Sequence, residues 1–519
     1  MSENDPTDLI ELQANRVGLR RGTDFSPVDC LFQTDAYKLG HVGMYAAMGD
    51  VTRLYSNWTN RKSRMPGVDK VVHFGLQAHI QRYLVDAFAP FFAWPGSPMS
   101  LGDLYHDRVG QVLGYDAADT IGTEHIEALF SLGYLPLRFC AVPEGTLVPI
   151  GVPSFTVENT HPDFAWLTNY IEPGLSNGIW GPSTSATIAH EYRKVLDEAA
   201  RRTGADPEAV DWQCHDFSYR GMLGHDGAAA SGAAHLLSFF GTDSLPALAY
   251  IDRYYGGPYT AGSVPATEHS VMSLGIAAHG ELETFRRLLK LHPTGVISIV
   301  ADTFDLWRVL TEILPALKDE IMARDGKLVI RPDSGDPVKI ITGDHAAEPL
   351  SPEWYGVVRL LHHYFGGTVN DKGYIELDPH VGAIYGDSIT YDRMQHIVGD
   401  LTLMGFASTT ITLGIGSFTY QYNTRDTFGS AMKATWAEVD GKGVNLFKDP
   451  ITDDGTKRSA TGRLSVVRNT SRDHDWGGLF LIQQADEHDE AQSLLKPVWE
   501  DGKFLQRQSF EDVRTVLNG

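Results

Sequence analysis

The chain has 519 residues, enough for two or three domains, and with 42% apolar side chains it can bury a large core. Its 66 acidic against 43 basic side chains give a formal charge of −23, which argues against non-specific binding to nucleic acid or anionic membrane but leaves room for a local basic pocket for a small anion. The three cysteines, Cys30, Cys140 and Cys214, are far apart and form no CxxC pair, which argues against a disulfide framework or structural zinc. The acidic start (MSENDPTDLIELQ) does not read as a signal peptide, and no apolar run approaches the ~20 residues of a membrane span, so a cytoplasmic protein is expected.

Residues 1–29 read as a polar arm with a short amphipathic piece. Residues 30–204 form a mixed α+β part. Within it, 73–92 have helical apolar spacing, and 137–158 read as short strands broken at PEG and GVP. A helix is expected over 185–202, capped by Ser183 or Ser185. From 205 to 420 the pattern becomes regular. The apolar runs 295–302, 327–335, 381–388 and 408–417 each end in a polar or glycine cluster, and helices follow from about Asp305 and Tyr391. Continuous apolar strands alternating with helices predict an α/β fold with a parallel sheet, here an irregular β/α barrel with its site at the strand C-termini. After 421 strand patterns return, and these are expected to join the sheet built near 137–160 as one discontinuous domain.

The strand ends hold the residues suited to chemistry. RPDSG (331–335) sets out Arg331, which can fork onto phosphate, and Asp333, which can accept from ribose hydroxyls or face a developing cation. The same residues would also make an ordinary turn with a surface salt bridge. Gly386 with Asp387, and Gly414, Gly416 and Ser417, can offer backbone N–H groups to phosphate. In CHDFSYRG (214–221), Phe217 or Tyr219 could stack on a flat ring and Arg220 could clamp phosphate, whereas His215 reads as a hydrogen-bonded core histidine. Asp243 reads locally as a helix N-cap. His269, beside Glu268, stands where a loop enters a helix and could be a nucleophile or acid–base group. Arg425, Lys433, Lys448, Lys457 and Arg458 could form an anion pocket or a solvated surface. The runs DHD (473–475) and EHDE (487–490) read as solvated acidic loops rather than metal ligands.

TDAYKLGH (34–41), FGLQ (74–77), VPEG (142–145), FTVENT (155–160), WLTNYIE (166–172), HDFSYRG (215–221), GTD (241–243), SVPATEHS (263–270), RPDSG (331–335), GD (386–387) and NLFKDP (445–450) occur in this order. Each motif is weak alone. Together they resemble the nicotinate/nicotinamide phosphoribosyltransferase family, specifically its nicotinamide-using members, from about residue 30 to the C-terminus. The resemblance implies a type II phosphoribosyltransferase that acts as a homodimer with shared active sites. Its substrates would be nicotinamide and phosphoribosyl pyrophosphate, with Mg²⁺ as cofactor and ATP as an activating co-substrate.

By the match, Phe217 and the partner subunit's Tyr37 would sandwich the pyridine ring, with Asp35 nearby. Asp243 would accept from the carboxamide, and Ser263, Val264, Ala266 and Ser298 would line the ring pocket. Arg331 would border both the base and the phosphoribosyl part. Arg220, Gly386, Asp387, Gly416 and Ser417 would hold the phosphoribosyl and diphosphate groups, joined by Arg425, Lys433 and Lys448 from the second subunit. Asp302 and Asp333 would face the ribose and, indirectly, the metal, while His269 matches a histidine phosphorylated by ATP.

One departure stands out: the family's phosphate loop resembles GSGGG, but here it reads GIGSF (414–418). That change keeps a larger ribosyl pyrophosphate open as the donor. The other rivals are the sister activity on nicotinate, which a carboxylate at Asp243 disfavours, and a non-catalytic scaffold on the same fold. A barrel lyase is disfavoured because no strand end carries a Schiff-base lysine.

Overall fold

The computed structural model describes residues 26–386, 388–452, 458–468 and 478–519. The arm before residue 26 therefore lies outside the described residues, as do Asp387, Lys457 and the DHD run. Two sheets organise the chain. One is seven-stranded and antiparallel, in the order Lys442–Asn445, Ser430–Val439, Val51–Asn60, Pro153–Asn159, Leu137–Ala141, Lys496–Glu500, Lys503–Phe504. Strands from both ends of the chain share it, so the α+β layer is discontinuous in sequence. Trp58, Phe139, Phe155 and Trp499 fill its core.

The second sheet has six parallel strands, in the order Gly241–Thr242, Cys214–Asp216, Ile411–Ile415, Val381–Tyr385, Leu328–Arg331, Ile297–Val300. Ile297–Val300 and Val381–Tyr385 are buried throughout, as strands covered on both faces must be. The sheet also curls. Gly262 bridges to Gly241 at one edge and Ala266 bridges to Ser298 at the other. Four backbone bonds fix this link: Thr242 N–H to the Gly262 carbonyl and Gly262 N–H to the Phe240 carbonyl, both 2.9 Å, with Ser298 N–H to the Pro265 carbonyl and Thr267 N–H to the Ser298 carbonyl, also both 2.9 Å. The segment 262–267 thus spans the gap between the two edge strands and completes an irregular β/α barrel.

Helices begin near the expected points, at Leu306 and Tyr391. The helix expected from residue 185 is instead Glu172–Thr203, and it runs through Pro182. Ser183 and Ser185 are therefore interior residues, not caps. Ser183 donates to the Val72 carbonyl at 2.5 Å, and Ser185 shares a 2.8 Å hydrogen bond with Ser231. Burial of this helix between both sheets outweighs the local cost of its proline and glycines. The 73–92 segment is helical from Leu76 but passes through a π-helical stretch, Ile80–Asp86. EHDE forms the short helix Glu487–Gln492, closed by a capping box between Asp486 and Asp489. Among the described residues no helix is long and apolar enough to cross a membrane.

Candidate active site

The C-terminal ends of the six parallel strands converge on one face of the barrel. The strand Cys214–Asp216 delivers His215 and then Phe217, whose N–H donates to the Ile415 carbonyl at 2.8 Å and so ties the aromatic to the neighbouring strand. The rings of His215 and Phe217 lie 4.6 Å apart, tilted by 35°. The next strand, Gly241–Thr242, delivers Asp243. The following helix, Leu245–Tyr254, has Ser244 at its N-cap position and no side-chain cap, so the N-cap reading of Asp243 fails. Its carboxylate turns into the site instead. Oδ1 accepts from His215 Nε2 at 2.9 Å and from the Ser263 hydroxyl. Burial opposes ionisation of Asp243, but these two hydrogen bonds and the charges of His215 and Arg331 outweigh it and hold its pKa below the ordinary aspartate value.

Ser263, Val264 and Ala266 sit on the barrel-closing segment, and Ala266 is bridged to Ser298. The buried Ser298 hydroxyl finds no hydrogen-bond partner among the described residues, which suits a pocket completed by a polar ligand. At the next strand ends, Asp302 is the organiser. Its Oδ2 accepts from Asp333 N–H at 2.9 Å and from the Ser334 hydroxyl at 2.6 Å, while Oδ1 lies 3.3 Å from His269 Nε2. His269 is the first residue of the helix His269–His279 and is half exposed.

Arg331 forms no ion pair among the described residues, and its buried Nε is unpartnered. The Asp333 carboxylate likewise accepts no hydrogen bond among them. Beside both lies Gly386, where an added Cβ would fall on the Asp333 carboxylate. Gly414 is equally constrained, because a side chain there would strike the Tyr385 and Gly386 backbone. In the altered loop, buried Gly416 is followed by Ser417, whose side chain packs over Gly221, next to exposed Arg220. Phe418 leaves the loop and stacks on Tyr422 at 4.8 Å.

A second group lies apart from Phe217 within the chain. Asp35, Tyr37 and Arg425 line a cavity of about 270 Å³ with Glu172, Asn177 and Trp180. Tyr37 is exposed, and its ring meets His41 rather than Phe217. Lys433 is close by. Its pKa is lowered, chiefly by burial; Glu172 pulls the other way, and the charges of Arg61, Arg425 and Lys38 add to the lowering. Lys433 also lines a cleft with Arg61, Arg458 and Ser459, and the exposed Lys448 exchanges two 2.9 Å hydrogen bonds with Ser459. These cations make a local basic patch around the Glu172 carboxylate, which pairs with Lys38 and Lys433, in an otherwise acidic chain. Sequence reading missed Arg61 and Ser334; it took His215 as a hydrogen-bonded core histidine, which it is, but not its partner Asp243. Ser334 and His215 sit inside quoted motifs without a signal of their own, and Arg61 lies outside every quoted motif.

The profile of the nicotinate phosphoribosyltransferase (NAPRTase) family matches residues 212–503, more than half of the chain. The chain belongs to this family. Among its relatives, a nicotinamide phosphoribosyltransferase of Acinetobacter baylyi is 47% identical over 496 residues, covering 93% of this chain and 96% of the relative. Another of that name, from Xanthomonas campestris, is 32% identical, covering 93% of this chain and 97% of the relative. Two solved structures share the fold. A nicotinate-nucleotide pyrophosphorylase from Pyrococcus furiosus has a TM-score of 0.58 at 14% identity, covering 96% of this chain and 97% of that one. The human nicotinic acid phosphoribosyltransferase has a TM-score of 0.53 at 17% identity, with 93% of each chain covered.

Proposed function

We propose that this member of the family is a nicotinamide phosphoribosyltransferase, joining nicotinamide to the ribose of phosphoribosyl pyrophosphate with release of diphosphate, a step of NAD salvage. The observation that carries the reading is Asp243: an ionised carboxylate, accepting only, presented beside the aromatic Phe217. It can take a hydrogen bond from a carboxamide NH2 and repels the carboxylate of nicotinate. The full-length relatives carry the amide name, which supports the same choice.

The reaction is a substitution at an anomeric carbon with an oxocarbenium-like transition state. The pyridine nitrogen has no proton to lose, so no general base is needed. Phe217 holds the ring in place, and Asp333 and Asp302 supply negative charge near the ribosyl cation. Arg220 and Arg331, with the backbone N–H at Gly416, are suited to the phosphates, whereas the Gly386 N–H is already given to the Pro332 carbonyl at 3.1 Å, so Gly386 contributes close approach rather than a donor. Asp333, with its uncommitted carboxylate, fits a role towards Mg²⁺, and Asp302, already occupied by three donors, fits an indirect one. Such a cation would offset the charge of the departing diphosphate. His269 faces Asp302 through one ring nitrogen, which leaves the other for phosphorylation by ATP. Tyr37, Asp35, Arg425, Lys433 and Lys448 form a separate group in the chain, which fits a homodimer in which each subunit lends them to its partner's barrel.

The test is a product assay by mass spectrometry on the purified protein with Mg²⁺, phosphoribosyl pyrophosphate and equal nicotinamide and nicotinate, with and without ATP. Nicotinamide mononucleotide is the expected main product, rising with ATP. Nicotinate mononucleotide as the main product would refute the amide reading.

A further inference from the structure

We infer that His215 is a positioning residue for base selection: it fixes the Asp243 carboxylate so that one oxygen is saturated by protein donors and the other faces the substrate amide. The inference rests on the base-pocket reading above and adds a residue to it. Both hydrogen bonds to Asp243 end on the same oxygen, Oδ1. An ionised carboxylate only accepts, so His215 Nε2 and the Ser263 hydroxyl must each donate. Oδ2 accepts nothing among the described residues.

His215 is held in that role from two sides. The Gly241 backbone lies close against the imidazole: a Cβ there would overlap Nδ1, with ring Cγ and the Cys214 carbonyl oxygen both at 3.2 Å. The Phe217 ring covers another side, at 4.6 Å. A ring wedged between the Gly241 backbone and Phe217 cannot swing away from Asp243. The same imidazole therefore couples the group that reads the amide to the aromatic that carries the pyridine. Ser263 lies on the barrel-closing segment, so the two donors approach Oδ1 from different elements and lock the carboxylate plane. Without His215 the carboxylate can turn about its bond, and the free oxygen no longer has a fixed place. The loss would fall on recognition of the amide rather than on the substitution step, in which His215 touches no reacting atom.

The test compares His215→Gln, His215→Asn and His215→Leu with the unmodified protein. It reads KM for nicotinamide, kcat, and the ratio of nicotinamide to nicotinate mononucleotide from equal bases. Glutamine can place an N–H where Nε2 stands; asparagine is equally polar but too short; leucine has no donor. We expect His215→Gln to stay near the unmodified values. His215→Asn and His215→Leu should raise KM for nicotinamide roughly 10-fold or more, change kcat less, and lower the amide preference by a similar factor. Unchanged KM and preference in the Asn and Leu variants would overturn the inference. So would equal losses in Gln and Asn accompanied by a lower melting temperature, the mark of a purely structural residue. Should the leucine variant fail to fold, the Gln–Asn pair decides alone. Failure of the functional reading itself would show separately, as no nicotinamide mononucleotide from the unmodified protein.

Discussion

A side chain at Gly386 would land on the Asp333 carboxylate, so the glycine is required by close approach. Gly386→Ala should keep the fold yet lower kcat/KM for the ribosyl donor by on the order of 10-fold or more, read by donor-saturation kinetics beside a thermal melt. Asp302 works differently. Asp302→Ala removes the acceptor shared by Asp333 N–H and Ser334, and the partner of His269. Turnover should fall by on the order of 100-fold, and the stimulation by ATP proposed above should be lost with it, as measured by product formation with and without ATP. Arg331, Asp333 and Gly386 stood out in the sequence because their short motifs have residue types that suit phosphate and ribose, and the fold brings the three together. The direction of Asp243 was not legible locally. GTDS before a helix looks like a cap, and only the pairing of Gly241–Thr242 with Cys214–Asp216 brings His215 within reach.

Four of the six parallel strands were readable because they are largely apolar runs that end at a polar or glycine cluster, whereas Cys214–Asp216 and Gly241–Thr242 are too short and too polar to carry that signal. The long helix Glu172–Thr203 was only half readable. Its first half carries Gly174, Gly178, Gly181 and Pro182, all local signals against a helix, and burial between two sheets decides otherwise. The closure by residues 262–267 left no strand signal, since each bridge is a single residue pair. The separation of Tyr37 from Phe217 also belongs to this scale. If the two meet across a dimer, mixing Tyr37→Ala with Asp333→Ala protein restores activity. In a mixed dimer one site carries both defects and the other carries neither, so recovery should reach roughly a quarter of the unmodified rate after random exchange. A mixture no more active than its components would place the complete site within one subunit.

Across the whole molecule, buried histidines link stability to pH. Burial pushes His73 and His79 down to about 3, and His125, His190 and His235 down to about 4, from an ordinary 6.5. These groups are neutral when folded but bind protons when unfolded, so their contribution is complete above pH 6.5. It is lost as the pH falls towards 4 and then 3. The lowered carboxyl pKa values of Asp243 and Glu500 act in the same direction at lower pH. The melting temperature should therefore fall steadily from pH 6.5 to 4.5; a flat profile would mean that these rings reach solvent or partners in solution. Charge is also uneven at this scale: in a chain of formal charge −23, Lys433 feels the positive charges of Arg61, Arg425 and Lys38, a local patch of the sign a polyanionic donor would need.

The most direct test of the account is the ratio of kcat/KM for nicotinamide to that for nicotinate, measured in the unmodified protein and in Asp243→Ala. The account predicts a strong amide preference that collapses by on the order of 10²-fold or more in the variant, chiefly through loss on nicotinamide. An unchanged ratio would contradict it, because selection of the base would then lie elsewhere than in the carboxylate that His215 and Ser263 hold in place.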